Sequence, residues 1–341
     1  MPDSPLLHPR HALFDPGEPV AVPLPVCDHY AGVELRMRKS LALQAELGAV
    51  FDVTLDGEDG APVGGEIEHA HLIAELVGGS ANRFDRVGAR LQPVGHRRFE
   101  DVVDLLVRRV GARLPYLMIP KARGTADIDR AAACIDEAGR RHGLQRPVPL
   151  HALVETHGAL REVDALAAHP RIESLSFGLM DFVSAHRGAI PQSATTAAGQ
   201  FDHPLVVRAK LEIAAACHAH GKTPSHCVVT EFKDRHALQG AVETAKDLLG
   251  YTRMWSIHPD QVRTIVEAFA PTGAEIDRAV EILMAARAAA WAPIRHLDTL
   301  HDRASYRYFW HVLERAHCTS VAGGPLLPAQ VRQAFFDPPH P

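Results

Sequence analysis

Short apolar or β-branched runs alternate with amphipathic helical patterns along most of this chain, and that alternation restricts the fold more than any other feature. The runs fall at 20–26, 50–55, 87–91, 115–119, 148–154, 174–178, 226–230 and 254–257, each of strand length and bounded by polar or turn residues. Between them, apolar residues recur at i, i+3, i+4 and i+7. Val103, Leu106, Val107 and Val110 form one such stripe, and Ile128, Ala131, Ala132 and Ile135 a second. Leu238, Ala241, Val242 and Ala245 form a third, and Val262, Ile265, Val266 and Phe269 a fourth. Gly111, Gly143 and Gly250 follow as stops, Asp234 stands at an N-cap position, and Pro259 suits a first helical residue. Eight strands alternating with helices predict an α/β fold whose parallel sheet closes into a (β/α)8 TIM barrel. An open doubly wound sheet is the alternative, and the lack of a G-x-G-x-x-G after the first strand counts against it.

The barrel is expected over 20–270. An N-terminal arm at 1–19 precedes it, and a C-terminal helical extension at 271–341 follows it. That extension carries Tyr306, Tyr308, Phe309 and Trp310, and is expected to pack on the barrel or on a neighbouring subunit. A hydrophobic content of 46% suffices for so large a core. Net charge is −5, with Lys and Arg spread along the chain, so no basic stripe points to nucleic acid. Cys27, Cys134, Cys217, Cys227 and Cys318 lie far apart without a C-x-x-C pair, as expected of reduced thiols in a cytoplasmic protein. The first 20 residues lack the apolar run of a secretory signal. Asp277, Arg278, Glu281 and Arg287 interrupt the Ala-rich stretch near 276–291, which excludes it as a membrane span. The 22 histidines are mostly single and read as surface or capping residues.

A barrel gathers the C-terminal ends of its strands at one mouth, so the residues just past each run are the candidates for chemistry. They are Cys27, Asp28 and His29; Asp56-Gly57-Glu58-Asp59-Gly60; Arg90 and Gln92; Lys121; Glu155; Gly178 and Asp181; Thr230, Glu231 and Asp234; and Ser256 and His258. Carboxylates dominate. Paired Asp and Glu oxygens suit a hard divalent cation that keeps waters, and a Cys/His zinc site does not fit. Asp234 reads as a helix cap, Asp52 as structural, and Lys121 equally as a surface or a site residue. Glu155 ends an apolar run, where a carboxylate needs a partner.

At these positions the sequence resembles the HpcH/HpaI aldolase and citrate lyase beta-subunit family, which includes malyl-CoA and citramalyl-CoA lyases. Ala152-Leu153-Val154-Glu155-Thr156 is similar to its apolar-Ile-Glu-Thr motif, and Phe177-Gly178-Leu179-Met180-Asp181-Phe182 to its Phe-Gly-x-x-Asp-Phe motif. Asp56-Gly57-Glu58-Asp59-Gly60-Ala61 resembles its Asp-Leu-Glu-Asp-Ala, and Ile257-His258-Pro259-Asp260-Gln261 its Ile-His-Pro-x-Gln. The resemblance implies that Glu155 and Asp181 ligate Mg²⁺, with Mn²⁺ as a substitute, and that the chain forms trimers or hexamers. The sequence departs from the family at Val20–Val26, which has no Arg, and at Ala89-Arg90-Leu91-Gln92, which keeps the Arg and loses the usual Asn. Both departures leave a coenzyme A thioester substrate open. The run 186–191 after Asp181 is expected to contribute a substrate loop.

The implied activity is Mg²⁺-dependent carbon–carbon cleavage or condensation of a 2-oxo or hydroxy acid, or of its CoA thioester, through an enolate. Arg90 is the expected stabiliser of the enolate or clamp for a carboxylate. Glu58 and Asp59 are expected as catalytic acids and bases, or as groups that orient metal-bound water. The alternatives are a hydroxyacyl-CoA thioesterase and a non-catalytic partner subunit of a lyase complex.

Overall fold

The computed structural model describes residues 7–18, 22–320 and 327–337. Eight parallel strands close into a barrel in chain order: β1 Cys27–Ala31, β2 Phe51–Asp56, β3 Val87–Arg90, β4 Leu117–Ile119, β5 Leu150–Val154, β6 Ile172–Phe177, β7 Thr223–His226 and β8 Arg253–Ser256. Closure runs through β1 and β8, with Cys27 opposite Met254 and Asp28 opposite Trp255. The (β/α)8 expectation holds. The helices also form where their stripes predict, at Phe99–Val110, Thr125–Arg141, Arg235–Asp247 and Pro259–Phe269. Asp234 caps its helix by accepting the Ala237 N–H at 3.0 Å.

Two strands lie elsewhere than expected. Residues 20 and 21 fall outside the described residues, and 22–26 are not strand. Pro23 and Pro25 have no N–H to give a ladder. The first strand instead is Cys27–Ala31, so Cys27, Asp28 and His29 are buried inside the barrel wall and are not residues of its mouth. The seventh strand is Thr223–His226, and the apolar pair Val228-Val229 belongs to the turn after it, where the Val229 carbonyl accepts from Gln261 Nε2 at 2.7 Å.

Parallel strands buried on both faces usually read as apolar runs. Here the barrel interior is layered instead. At its base Arg253, fully buried, donates to Asp52 at 2.7 Å and lies 3.2 Å from Asp28. Asp28 also accepts from the Thr54 hydroxyl at 2.7 Å and from Tyr116 at 3.2 Å. Side chains two residues apart share a face of a strand. One such step toward the mouth replaces Asp28, Tyr116, His151 and Arg253 with Tyr30, Met118, Leu153 and Trp255, which pack as one apolar cluster. Tyr30 stacks on Trp255 with ring centroids 4.4 Å apart. A further step along β5 reaches Glu155.

The chain divides into two compact units, Leu24–Phe269 and Met1–Pro23 with Ala270–Pro341. The second has its own core, in which Leu13 joins Ile282, Leu283, Tyr306, Trp310 and Leu313. Among the described residues no helix is long and apolar enough to cross a membrane.

Candidate active site

The mouth is organised by Asp56, the last residue of β2. Register sets Asp56 opposite Arg90, the last residue of β3. Arg90 grips it with both ends of the guanidinium fork, Nε to Oδ1 at 2.7 Å and Nη2 to Oδ2 at 2.5 Å. The same two oxygens accept the backbone N–H groups of Glu58 and Gly60, each at 2.9 Å, and so shape the acidic loop. Gly60 is required there, because a β-carbon would fall 2.3 Å from Asp56 Oδ2. Gln92, which replaces the family's Asn, ties the loop to β3 by donating to the Gly57 carbonyl at 2.8 Å. Arg90 is thus held rigidly, and its charge is kept by Asp56, whose hydrogen bonds and charge outweigh the opposing effect of burial.

The third guanidinium nitrogen, Nη1, faces Glu58 Oε2 at 3.3 Å. Glu58 Oε1 meets the Lys121 ammonium at 2.5 Å. Burial raises the pKa of Glu58 despite these two cations. Asp59 shows the reverse balance: burial pushes its pKa up, but the hydrogen bond and charge of Lys121 more than offset it and leave it lowered.

Glu155 stands directly beyond β5 and is buried. Its Oε1 accepts the Lys121 backbone N–H at 2.6 Å. Gly178, beyond β6, makes its space, since a β-carbon at that position would sit 2.2 Å from Glu155 Oε2. Burial, and then the negative charge of Asp181, push the Glu155 pKa up to about 8. Asp181 lies in the first turn of the helix Leu179–Ala185 with 43% of its side chain exposed. The structure therefore brings Arg90, Glu58, Asp59, Glu155 and Asp181 to one mouth.

Among the described residues no group of three or more His, Cys, Asp or Glu is arranged to hold a metal ion. Two carboxylates with water completing the shell are nevertheless a sufficient set for Mg²⁺. Glu155 and Asp181 fit that set: both are hard oxygen donors, Glu155 has no ion-pair partner among the described residues, and burial followed by the negative charge of Asp181 raises its pKa. His258 and Gln261 play a structural part. Gln261 Oε1 accepts the N–H groups of Ile257 and His258 at 2.9 and 3.2 Å, closing the turn after β8.

Residues 52–259 match the model of the HpcH/HpaI aldolase/citrate lyase family. The chain belongs to that family. It is similar to a citrate lyase from Burkholderia xenovorans LB400 whose crystal structure is known: 53% identity, covering 96% of this chain and 100% of that one, with a TM-score of 0.82. It is 29% identical over 204 residues to an L-malyl-CoA/beta-methylmalyl-CoA lyase of Cereibacter sphaeroides, covering 56% of this chain and 62% of the lyase. The chain thus spans less than two thirds of the length of that relative. The protein CitE of Mycobacterium tuberculosis, solved with magnesium, acetoacetate and coenzyme A, shares the fold at 19% identity with a TM-score of 0.64, over 86% of this chain and 98% of that one.

Proposed function

We propose that this chain is a Mg²⁺-dependent carbon–carbon lyase acting on a 2-oxo or hydroxy acid or its CoA thioester through an enolate. The observation that carries the reading is Glu155, a buried carboxylate with Asp181 beside it and no cation paired to it among the described residues, at the same mouth as a rigid arginine. The magnesium and the acyl-CoA substrates named for the relatives point the same way.

Bound at Glu155 and Asp181, Mg²⁺ supplies a Lewis acid for a substrate carbonyl or carboxylate oxygen. The protein's own residues do the rest. In cleavage, the substrate hydroxyl loses its proton, the carbon–carbon bond breaks, and its electron pair moves onto the neighbouring carbonyl as an enolate. Arg90 presents Nη1 to that oxygen, and because Asp56 already holds the other two nitrogens, no reorganisation is needed when charge develops. Glu58 reaches Arg90 Nη1, and its raised pKa suits it to taking and returning a proton. The apolar layer of Tyr30, Met118, Leu153 and Trp255 lies on the barrel side of these charges and lowers the local dielectric.

The test is Mg²⁺-dependent release of pyruvate, glyoxylate or oxaloacetate from hydroxy acids and their CoA thioesters. Asp181→Asn, still folded by circular dichroism, is expected to abolish it. Turnover that survives a chelator or this substitution refutes the reading. Release of free coenzyme A with an intact hydroxy acid assigns thioester hydrolysis instead.

A further inference from the structure

Lys121 reaches four of the acids at the mouth. Its ammonium lies 2.5 Å from Glu58, 2.9 Å from Asp59 and 3.8 Å from Asp181, while its backbone N–H donates to Glu155 at 2.6 Å. The residue directly follows Pro120 beyond β4, and its φ of 50° places it in the left-handed region that side-chain-bearing residues rarely adopt. That conformation turns one residue to two tasks, with the backbone aimed at Glu155 and the side chain crossing to the acidic loop after β2. Such strain persists where surrounding contacts over-determine it, and here four carboxylates do so.

We infer that Lys121 is a positioning residue that spaces these acids and, by placing a fixed positive charge beside Asp181, weakens the site's hold on a divalent cation so that the metal exchanges with solvent. This rests on the Glu155–Asp181 metal site proposed above. The physical reason is charge balance. Four carboxylates gathered at one mouth would bind a dication tightly and would release it slowly. An ammonium in their midst lowers the negative potential that draws the metal, and competes for the Asp181 oxygen. Since 32% of the Lys121 side chain is exposed, solvent screening moderates the effect without removing it.

The experiment is calorimetric titration of the full chain with Mg²⁺, repeated with Mn²⁺ followed by electron paramagnetic resonance, for the wild type, K121M, K121Q, K121R and E155Q. Met and Gln retain the β-carbon and so the same backbone demand, while losing the charge. K121M and K121Q are expected to bind the cation at least about tenfold more tightly than the wild type, with K121R close to the wild type. A merely structural lysine cannot give this result, because a disordered mouth binds metal more weakly. Equal or weaker binding by both neutral variants overturns the inference while leaving the metal site standing, provided E155Q has lost its binding. Should E155Q bind as the wild type does, the metal site itself is wrong, and the role of Lys121 falls with it.

Discussion

Replacing Glu155 with Gln is expected to stabilise the metal-free protein at alkaline pH, although it removes the residue on which the proposed chemistry depends. Gln keeps the shape and can still accept the Lys121 N–H through its Oε1. The carboxyl of Glu155 holds its proton up to about pH 8 in the folded chain, against a usual value of 4.5. The unfolded chain therefore gives up this proton first as pH rises. Between about pH 4.5 and pH 8 the unfolded state binds fewer protons, so stability falls with rising pH, and above that window the full cost is present. Its size is on the order of 4–5 kcal/mol, from about 1.4 kcal/mol for each tenfold change in proton affinity. For a unit of this size that amounts to roughly 10 °C in Tm. In chelator at about pH 5, the wild type and E155Q should melt together. At about pH 9, E155Q should melt higher. Saturating Mg²⁺ should then raise the wild type at alkaline pH and leave E155Q where it was, because only a chain that binds the ion gains stability from it. Parallel melting curves for the two proteins across the whole range, in chelator, would refute the claim that burial and Asp181 strain this carboxylate.

Two further substitutions separate the charged layers of the barrel. Arg90→Lys cannot reproduce the two-nitrogen grip on Asp56 while also facing Glu58, so kcat/KM should fall about 100-fold or more in a chain that remains folded, and a rate within tenfold of the wild type would remove Arg90 from the chemistry. Arg253→Met leaves Asp28 and Asp52 buried without their common cation, and urea unfolding should show a loss of about 3–5 kcal/mol; a change under about 1 kcal/mol would mean that the base layer is not an ion-paired one.

The periodicity of the chain made the barrel legible, and the strand ends offered Glu155 and Asp181 among several acids, because both signals are local; only the family resemblance singled those two out as ligands. What failed was equally local in origin. Cys27–Ala31 carries Asp28 and His29, and a buried parallel strand is expected to be apolar, so the Val- and Pro-rich segment before it looked the better strand. Asp28 is tolerated inside because Thr54 of β2, Tyr116 just before β4 and Arg253 of β8 come to it. No window of sequence around residue 28 contains those partners. Asp56 was visible as an acid but not as the organiser of the site, since its role depends on the register that sets it opposite Arg90. Lys121 read equally as a surface or a site residue, and its left-handed backbone is what commits it to the mouth.

The layering also accounts for why the mouth can hold so many acids. Each charged group at the base is matched within the barrel, Asp28 and Asp52 by Arg253, and the apolar cluster of Tyr30, Met118, Leu153 and Trp255 lies between that pair and the mouth. A carboxylate in contact with this apolar layer loses hydration on one side and gains no cation from below. For Asp56 the loss is met by Arg90, and for Glu58 and Asp59 in large part by Lys121. Glu155 has no ion-pair partner among the described residues, only the Lys121 backbone N–H and the more distant charge of Arg90 to offset its burial, and its pKa is pushed up to about 8. Glu155 stands where β5 opens into the mouth, so on the reading proposed above the same packing that buries it makes a divalent cation its natural partner.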